Sequence, residues 1–125
     1  MPRAPRARME DYLEAIYVMI INNEKPGVRA LARRLNIKPS SVLEYLRKLD
    51  REGYIVYEGG GNIKLTEKGL EIAKKVYKRH RIISEFLQKL GVPKEIAELD
   101  ACYIEHGIHP ETLEKFVKYL EEHKC

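Results

Sequence analysis

Cys102, Glu105 and His106 stand three and four residues apart in a stretch with helical periodicity, so one helix points a sulfur, an oxygen and a nitrogen to the same side. Those three atom types can share one divalent cation. Asp11 and Glu14, again three apart, offer two carboxylates, and His80 offers an imidazole from within an apolar stripe. Together these six residues describe an octahedral-type site of mixed oxygen, nitrogen and sulfur donors, suited to Mn2+ or Fe2+ and open to Co2+, Ni2+ or Zn2+. Each has a plainer explanation when taken alone. Acidic residues in the first turns of a helix favour its dipole, a histidine in an apolar face commonly bonds a carbonyl, and cysteine serves as a small buried hydrophobe. Their company is what points to a metal.

A second group of residues has the chemistry of a polyanion partner. Leu13, Ile16, Tyr17 and Ile20 predict a first helix over about Met9 to Asn22; Val28, Leu31, Ala32 and Leu35 predict a short second one. A turn through Asn36, Ile37 and Lys38 leads to a third helix opened by Pro39 and carrying Val42, Tyr45, Leu46 and Leu49, with Ser41 and Glu44 spaced as a capping box. This is helix-turn-helix order. Its exposed side would carry Ser40, Ser41, Glu44, Tyr45, Arg47 and Lys48 beside Pro39. The two serines lie at the end that enters a major groove, and Arg47 and Lys48 are placed for phosphates. Gly53 ends the helix. Tyr54 to Tyr57 and Ile63 to Leu65, around Glu58-Gly-Gly-Gly-Asn62, predict two strands that form a wing, from which Lys64 adds a further phosphate contact. Arg3, Arg6 and Arg8 belong to a proline-interrupted basic start, expected to be a mobile arm.

Thr66 is placed to cap a fourth helix whose Ala73, Val76, Tyr77, His80, Ile83, Phe86, Leu87 and Leu90 keep one face apolar up to Gly91. A fifth, about Lys94 to His106, and a sixth from Pro110 complete a mainly α chain. The expected division is a winged helix-turn-helix over residues 1–71 and a helical dimerisation segment over residues 72–125. Residues 1–70 hold 13 Lys and Arg against 9 Asp and Glu, whereas residues 71–125 hold 10 of each, so the basic excess is where DNA is expected. With 44% hydrophobic and 34% charged residues the chain is a soluble type. Its longest apolar run, Ala15 to Ile21, is far below the roughly 18 residues of a membrane span, and its start has no apolar core of a secretory signal. Cys102 and the terminal Cys125 make a poor disulfide pair, and a cytoplasmic location is expected.

Met9-Glu-Asp-Tyr-Leu-Glu-Ala-Ile-Tyr17, Pro39-Ser-Ser-Val42, Lys48-Leu-Asp-Arg-Glu-Gly-Tyr54, Leu65-Thr-Glu-Lys-Gly69, Arg79-His-Arg81 and Cys102-x-x-Glu-His106 resemble, in order and spacing, the diphtheria toxin repressor family. The resemblance spans nearly the whole chain. It implies a homodimeric winged-helix repressor that binds operator DNA when Fe2+ or Mn2+ is bound, close in length to the two-domain manganese branch without the SH3-like domain of larger members. It also implies metal ligands at Asp11, Glu14, His80, Cys102, Glu105 and His106. The pattern is a hybrid. Asp11 and Glu14 match the manganese branch, which has glutamate in place of Cys102, while the cysteine matches the iron branch, which has methionine in place of Asp11. An ancillary iron-branch site pairs the histidine matching His80 with a histidine where this chain has Glu98 and a glutamate where it has Ser84. Glu98 remains available as a ligand; Ser84 is a poor one.

Two other classes of function compete with this reading. A winged-helix regulator without a metal would answer to a small molecule or to redox change at Cys102, and binding of Mn2+ or Fe2+ to the metal-free protein separates the two. A small metal-dependent hydrolase would also use carboxylates and histidine, but no spare general base stands out.

Overall fold

The computed structural model describes residues 5–59 and 61–124, with side chains from Arg8 onward. Six helices and one two-stranded sheet follow in the order α1 (Pro5–Ile21), α2 (Val28–Leu35), α3 (Pro39–Arg51), β1 (Ile55–Glu58), β2 (Asn62–Leu65), α4 (Glu67–Lys89), α5 (Lys94–Ile104) and α6 (Pro110–Glu122). The chain divides into two compact units between Lys74 and Lys75, within α4. Among the described residues no helix is long and apolar enough to cross a membrane.

The first unit is a winged helix-turn-helix. Leu13 and Ile16 of α1, Leu31 of α2 and Val42, Leu46 and Leu49 of α3 are buried in one cluster with Ile55 and Ile63 from the strands. Each such side chain contributes about 1.5–3 kcal/mol by leaving water. The α2–α3 turn forms because Asn36 takes a left-handed conformation (φ 56°), which lets the Ile37 amide donate to the Ala32 carbonyl at 3.0 Å. The strands pair antiparallel, Ile55 opposite Leu65 and Glu58 opposite Asn62, so alternation buries Ile55 and Ile63 and exposes Lys64.

Thr66 joins the wing to α4. Its hydroxyl oxygen accepts the Gly69 amide at 3.2 Å as a helix cap, and its hydroxyl donates to the Gly53 carbonyl at 2.7 Å. Gly69 packs so closely on this corner that a Cβ there would lie 2.0 Å from the Tyr54 carbonyl oxygen. At the far end of α4, Gly91 (φ 105°) permits a Schellman closure, in which the Val92 amide donates to Leu87 and the Gly91 amide to Gln88, both at 3.0 Å.

The second unit packs the remainder of α4 with α5 and α6. Val76, Ile83, Ala97 and Ala101 are buried, and Phe86 of α4 stacks on Phe116 of α6 with ring centroids 4.0 Å apart. Ile96, Leu99 and Tyr103, along one side of α5, stay exposed, at 48%, 63% and 70%. No residue of α6 is fully buried.

Three boundaries differ from the sequence expectation. Helix α1 begins at Pro5 instead of Met9, which turns part of the expected mobile arm into helix; proline suits a first helical position, where its missing N–H costs nothing. Arg3 and the side chain of Arg6 lie outside the described residues. Ser41 and Glu44 do not form a capping box. Lys38 is the N-cap residue and Pro39 the first helical one, so both side chains sit inside α3 and no side chain caps it. Helix α5 stops at Ile104, before Glu105 and His106, although Glu105 keeps helical dihedrals (φ −58°, ψ −27°) and so preserves the spacing of its side chain relative to Cys102.

Candidate metal centre

The second unit brings five of the sequence-selected residues together. His80 of α4 stands between two carboxylates, with Nδ1 2.9 Å from Glu105 Oε2 and Nε2 2.6 Å from Glu98 Oε2. Cys102 Sγ lies 3.9 Å from the same Nδ1, and His106 Nε2 lies 3.3 Å from Glu105 Oε1. The local reason is helical phase. Glu98, Cys102 and Glu105 recur at four and three residues along α5 and its end, so they share a side.

The cluster is buried at Glu105 and opens to solvent at Glu98, whose side chain is 44% exposed. Glu105 is fully buried and the side chains of His80 and His106 are only 14% and 6% exposed. The Cys102 sulfur, then the Glu105 and Glu98 carboxylates, stabilise the imidazolium and raise the His80 pKa to about 11, against the opposing effect of burial. Burial pushes the Glu98 carboxyl upward, but hydrogen bonds from His80 and Ser84 and the charges of His80 and Lys94 outweigh it, and the net shift is downward.

The donor set fits a divalent ion on an observation of its own. Glu105 Oε1 is buried with no hydrogen-bond partner among the described residues. His106 Nε2 lies 3.3 Å from it without making a hydrogen bond; a buried carboxylate oxygen left so is costly, and a cation shared with His80, Cys102 and His106 would remove that cost. The ligand chemistry is hard oxygen with borderline imidazole and one soft sulfur.

Asp11 and Glu14 are in the first unit, half-buried and three residues apart on α1. Because α1 starts at Pro5, its first turn holds no acidic residue, and the dipole explanation for this pair loses its basis. Ser84, dismissed as a ligand, has another role: its hydroxyl donates to Glu98 Oε1 at 3.1 Å and accepts from Gln88 Nε2 at 3.1 Å. His80, Ser84 and Gln88 fall at successive fourth positions of α4, a signal that was present in the sequence.

On the first unit, Pro39, Ser40, Ser41, Glu44, Arg47 and Lys48 are all exposed along α3, and Lys64 is exposed on β2. Tyr45 is half-buried, its ring 4.5 Å from that of Tyr12, with Lys48 Nζ 5.5 Å and the Arg8 guanidinium 5.9 Å from its centroid. Burial, opposed by the charge of Arg8, raises the Tyr45 pKa. Cations from α1 and α3 thus gather at one aromatic ring beside the third helix.

Two family models match the chain in tandem: iron dependent repressor, N-terminal DNA binding domain, over residues 6–62, and iron dependent repressor, metal binding and dimerisation domain, over residues 66–125. An HTH-type transcriptional regulator of Methanocaldococcus jannaschii is 44% identical over 118 residues, covering 93% of this chain and 94% of that protein. The HTH-type transcriptional regulator MntR of Lysinibacillus sphaericus is 36% identical over 121 residues, covering 94% of this chain and 87% of that protein. The solved structure of the manganese regulator SloR superposes with a TM-score of 0.79 at 27% identity, covering 97% of this chain and 54% of SloR. The chain therefore spans about half the length of SloR but most of the length of the two sequence relatives.

Proposed function

The chain belongs to the diphtheria toxin repressor family, in its manganese branch, as a metal-dependent DNA-binding transcriptional regulator and not an enzyme; on that premise we propose that it is a homodimeric repressor of metal-ion homeostasis with Mn2+ or Fe2+ as co-repressor. The observation that carries the metal reading is the convergence of Glu105 Oε2 and the Cys102 sulfur on His80 Nδ1, beside a second Glu105 oxygen, Oε1, that is buried and makes no hydrogen bond. His106 joins this set, and Asp11 and Glu14 complete it with the hard oxygens that the family resemblance implies. When bound, the ion neutralises these carboxylates and fixes the residues that ligate it. Co2+, Ni2+ or Zn2+ would substitute, given the mixed donors.

The same family reading supplies the partners. Double-stranded operator DNA is met by α3, with Ser40, Ser41, Glu44 and Tyr45 toward the bases and Pro39 opening the helix; Arg8, Arg47, Lys48 and Lys64 meet phosphates. The exposed Ile96, Leu99 and Tyr103 side of α5 suits a second copy of the chain. The protein acts in the cytoplasm, where DNA is available and Cys102 stays a thiol. Metal binding would favour the arrangement in which two third helices match successive major grooves, shifting the population toward the DNA-competent dimer.

The test combines equilibrium dialysis of the metal-free protein against Mn2+ and Fe2+ under anaerobic, reducing conditions with selection of binding sites from a random duplex pool. Specific DNA should be recovered with either ion and lost in chelator. Recovery of the same sequences in chelator returns the protein to the metal-independent class.

A further inference from the structure

We propose that Glu98 is a positioning residue and not a ligand: by holding His80 Nε2 it commits His80 to ligate through Nδ1. This rests on the metal reading above and specifies which atoms serve it. The two ring nitrogens face different surroundings. Toward Nδ1 lie Glu105 Oε2 at 2.9 Å and Cys102 Sγ at 3.9 Å, two further donor atoms from α5 and its end. At Nε2 the imidazole meets Glu98 Oε2, at 2.6 Å.

Glu98 is itself fixed. Its second oxygen accepts the Ser84 hydroxyl at 3.1 Å, and Ser84 in turn accepts the Gln88 amide at 3.1 Å. Both carboxylate oxygens are thus engaged by α4 side chains that share the face carrying His80. A carboxylate held in this way takes the N–H of a ligating histidine, fixes the ring plane and raises the basicity of the opposite nitrogen. A carboxylate recruited as a ligand would have to leave Ser84 or His80. The α5 spacing enforces the division, because Glu98 comes one helical turn before Cys102 and approaches the ring from its other edge.

The test uses the intact protein loaded with diamagnetic Zn2+ and labelled with 15N-histidine. Long-range proton–nitrogen correlation should show metal on His80 Nδ1 and the proton kept on Nε2. In a Co2+ titration followed by absorbance, Glu98→Ala should weaken binding about 10–100-fold while the sulfur-to-cobalt charge-transfer band still appears at saturation. Glu98→Gln, which keeps an acceptor without the charge, should fall between, and it carries the comparison if circular dichroism shows Glu98→Ala to be unfolded. Zn2+ on Nε2, or Co2+ affinity unchanged in the variants, overturns the role of Glu98 and leaves the metal reading standing. Failure of the wild type to bind either ion overturns the metal reading and this inference with it.

Discussion

At Cys102 two chemistries meet on one side chain. A thiolate favours ions later in the divalent series than a carboxylate does, so under the proposed ligand set Cys102 would draw the metal preference toward Fe2+, Co2+ or Zn2+, whereas carboxylates such as Asp11, Glu14 and Glu105 would favour Mn2+. With both kinds present, the wild type should respond to Fe2+ and Mn2+ with little selectivity. Cys102→Glu should become Mn2+-selective and Asp11→Met Fe2+-selective, measured by operator binding titrated with each ion without oxygen. If Cys102→Ala leaves every affinity unchanged, the sulfur is only a packing group. The proton balance of His80 adds a second expectation. With its pKa raised to about 11, His80 is protonated at neutral pH in the metal-free protein, and an ion that takes Nδ1 must displace that proton. Metal affinity should therefore rise with pH through the neutral range, and calorimetry in buffers of different ionisation enthalpy should detect proton release on binding. In the metal-free protein the sign is opposite. A raised histidine pKa stabilises the fold fully below its unfolded value of about 6.5, and that contribution is lost as pH rises through about 11. Affinity independent of pH, with no proton release, would show that His80 is not a ligand.

Among the elements, the corner between wing and α4 concentrates the tightest packing. Gly69→Ala places a methyl group against the Tyr54 carbonyl oxygen, a backbone atom that yields only if the strand or helix moves, so it should cost about 1–3 kcal/mol in urea unfolding. Thr66→Ala removes the cap of α4 and the bond to Gly53, a loss of about 1 kcal/mol or more that Thr66→Ser should largely restore. If Gly69→Ala is as stable as the wild type, this corner is looser than its geometry says. The ends of α4 were legible in the sequence because they are local signals: Thr66 caps through the Gly69 amide three residues on, and Gly91 closes on Gln88, whereas the bond from Thr66 to Gly53, 13 residues away, was not legible. The start of α1 was less legible, because prolines flanking arginines read equally as an arm and as a first helical turn. In the candidate metal centre, the shared side of Cys102 and Glu105 was legible from one helix's periodicity, and His80 from its place in an apolar stripe. The link between Glu98, His80 and Ser84 was not. It depends on how α4 and α5 pack, with neighbours 14 and 18 residues apart in sequence, and no local pattern encodes that distance.

For the whole molecule, a repressor must present two third helices at a fixed spacing, and one copy of this chain carries one. The second copy must be recruited by surface that a single chain leaves uncovered. In the proposed dimer Ile96, Leu99 and Tyr103 would supply it on α5, with Leu90 of the preceding corner 58% exposed. Association through such side chains derives from apolar burial, which needs no ion. The dimer should therefore persist in chelator, whereas specific DNA binding should not. Leu99 is the most informative position because its side chain is 63% exposed, so replacing it leaves the packing of the single chain intact. Leu99→Glu places a charge at each copy of a two-fold contact, opposing like charge across the interface and removing apolar area together. Sedimentation equilibrium at micromolar concentration should give a dimer mass for the wild type with or without metal and a monomer mass for Leu99→Glu, with unchanged helical circular dichroism. The variant should still bind Co2+ through His80, Cys102, Glu105 and His106, since those ligands belong to one chain. It should lose operator affinity by far more than the tenfold that 1.4 kcal/mol represents, because the contacts to the second major groove, half of the total, go with the partner. A monomeric wild type, or a Leu99→Glu protein that remains dimeric, would place the interface elsewhere and remove α5 from the route by which the second DNA-reading helix is brought into register.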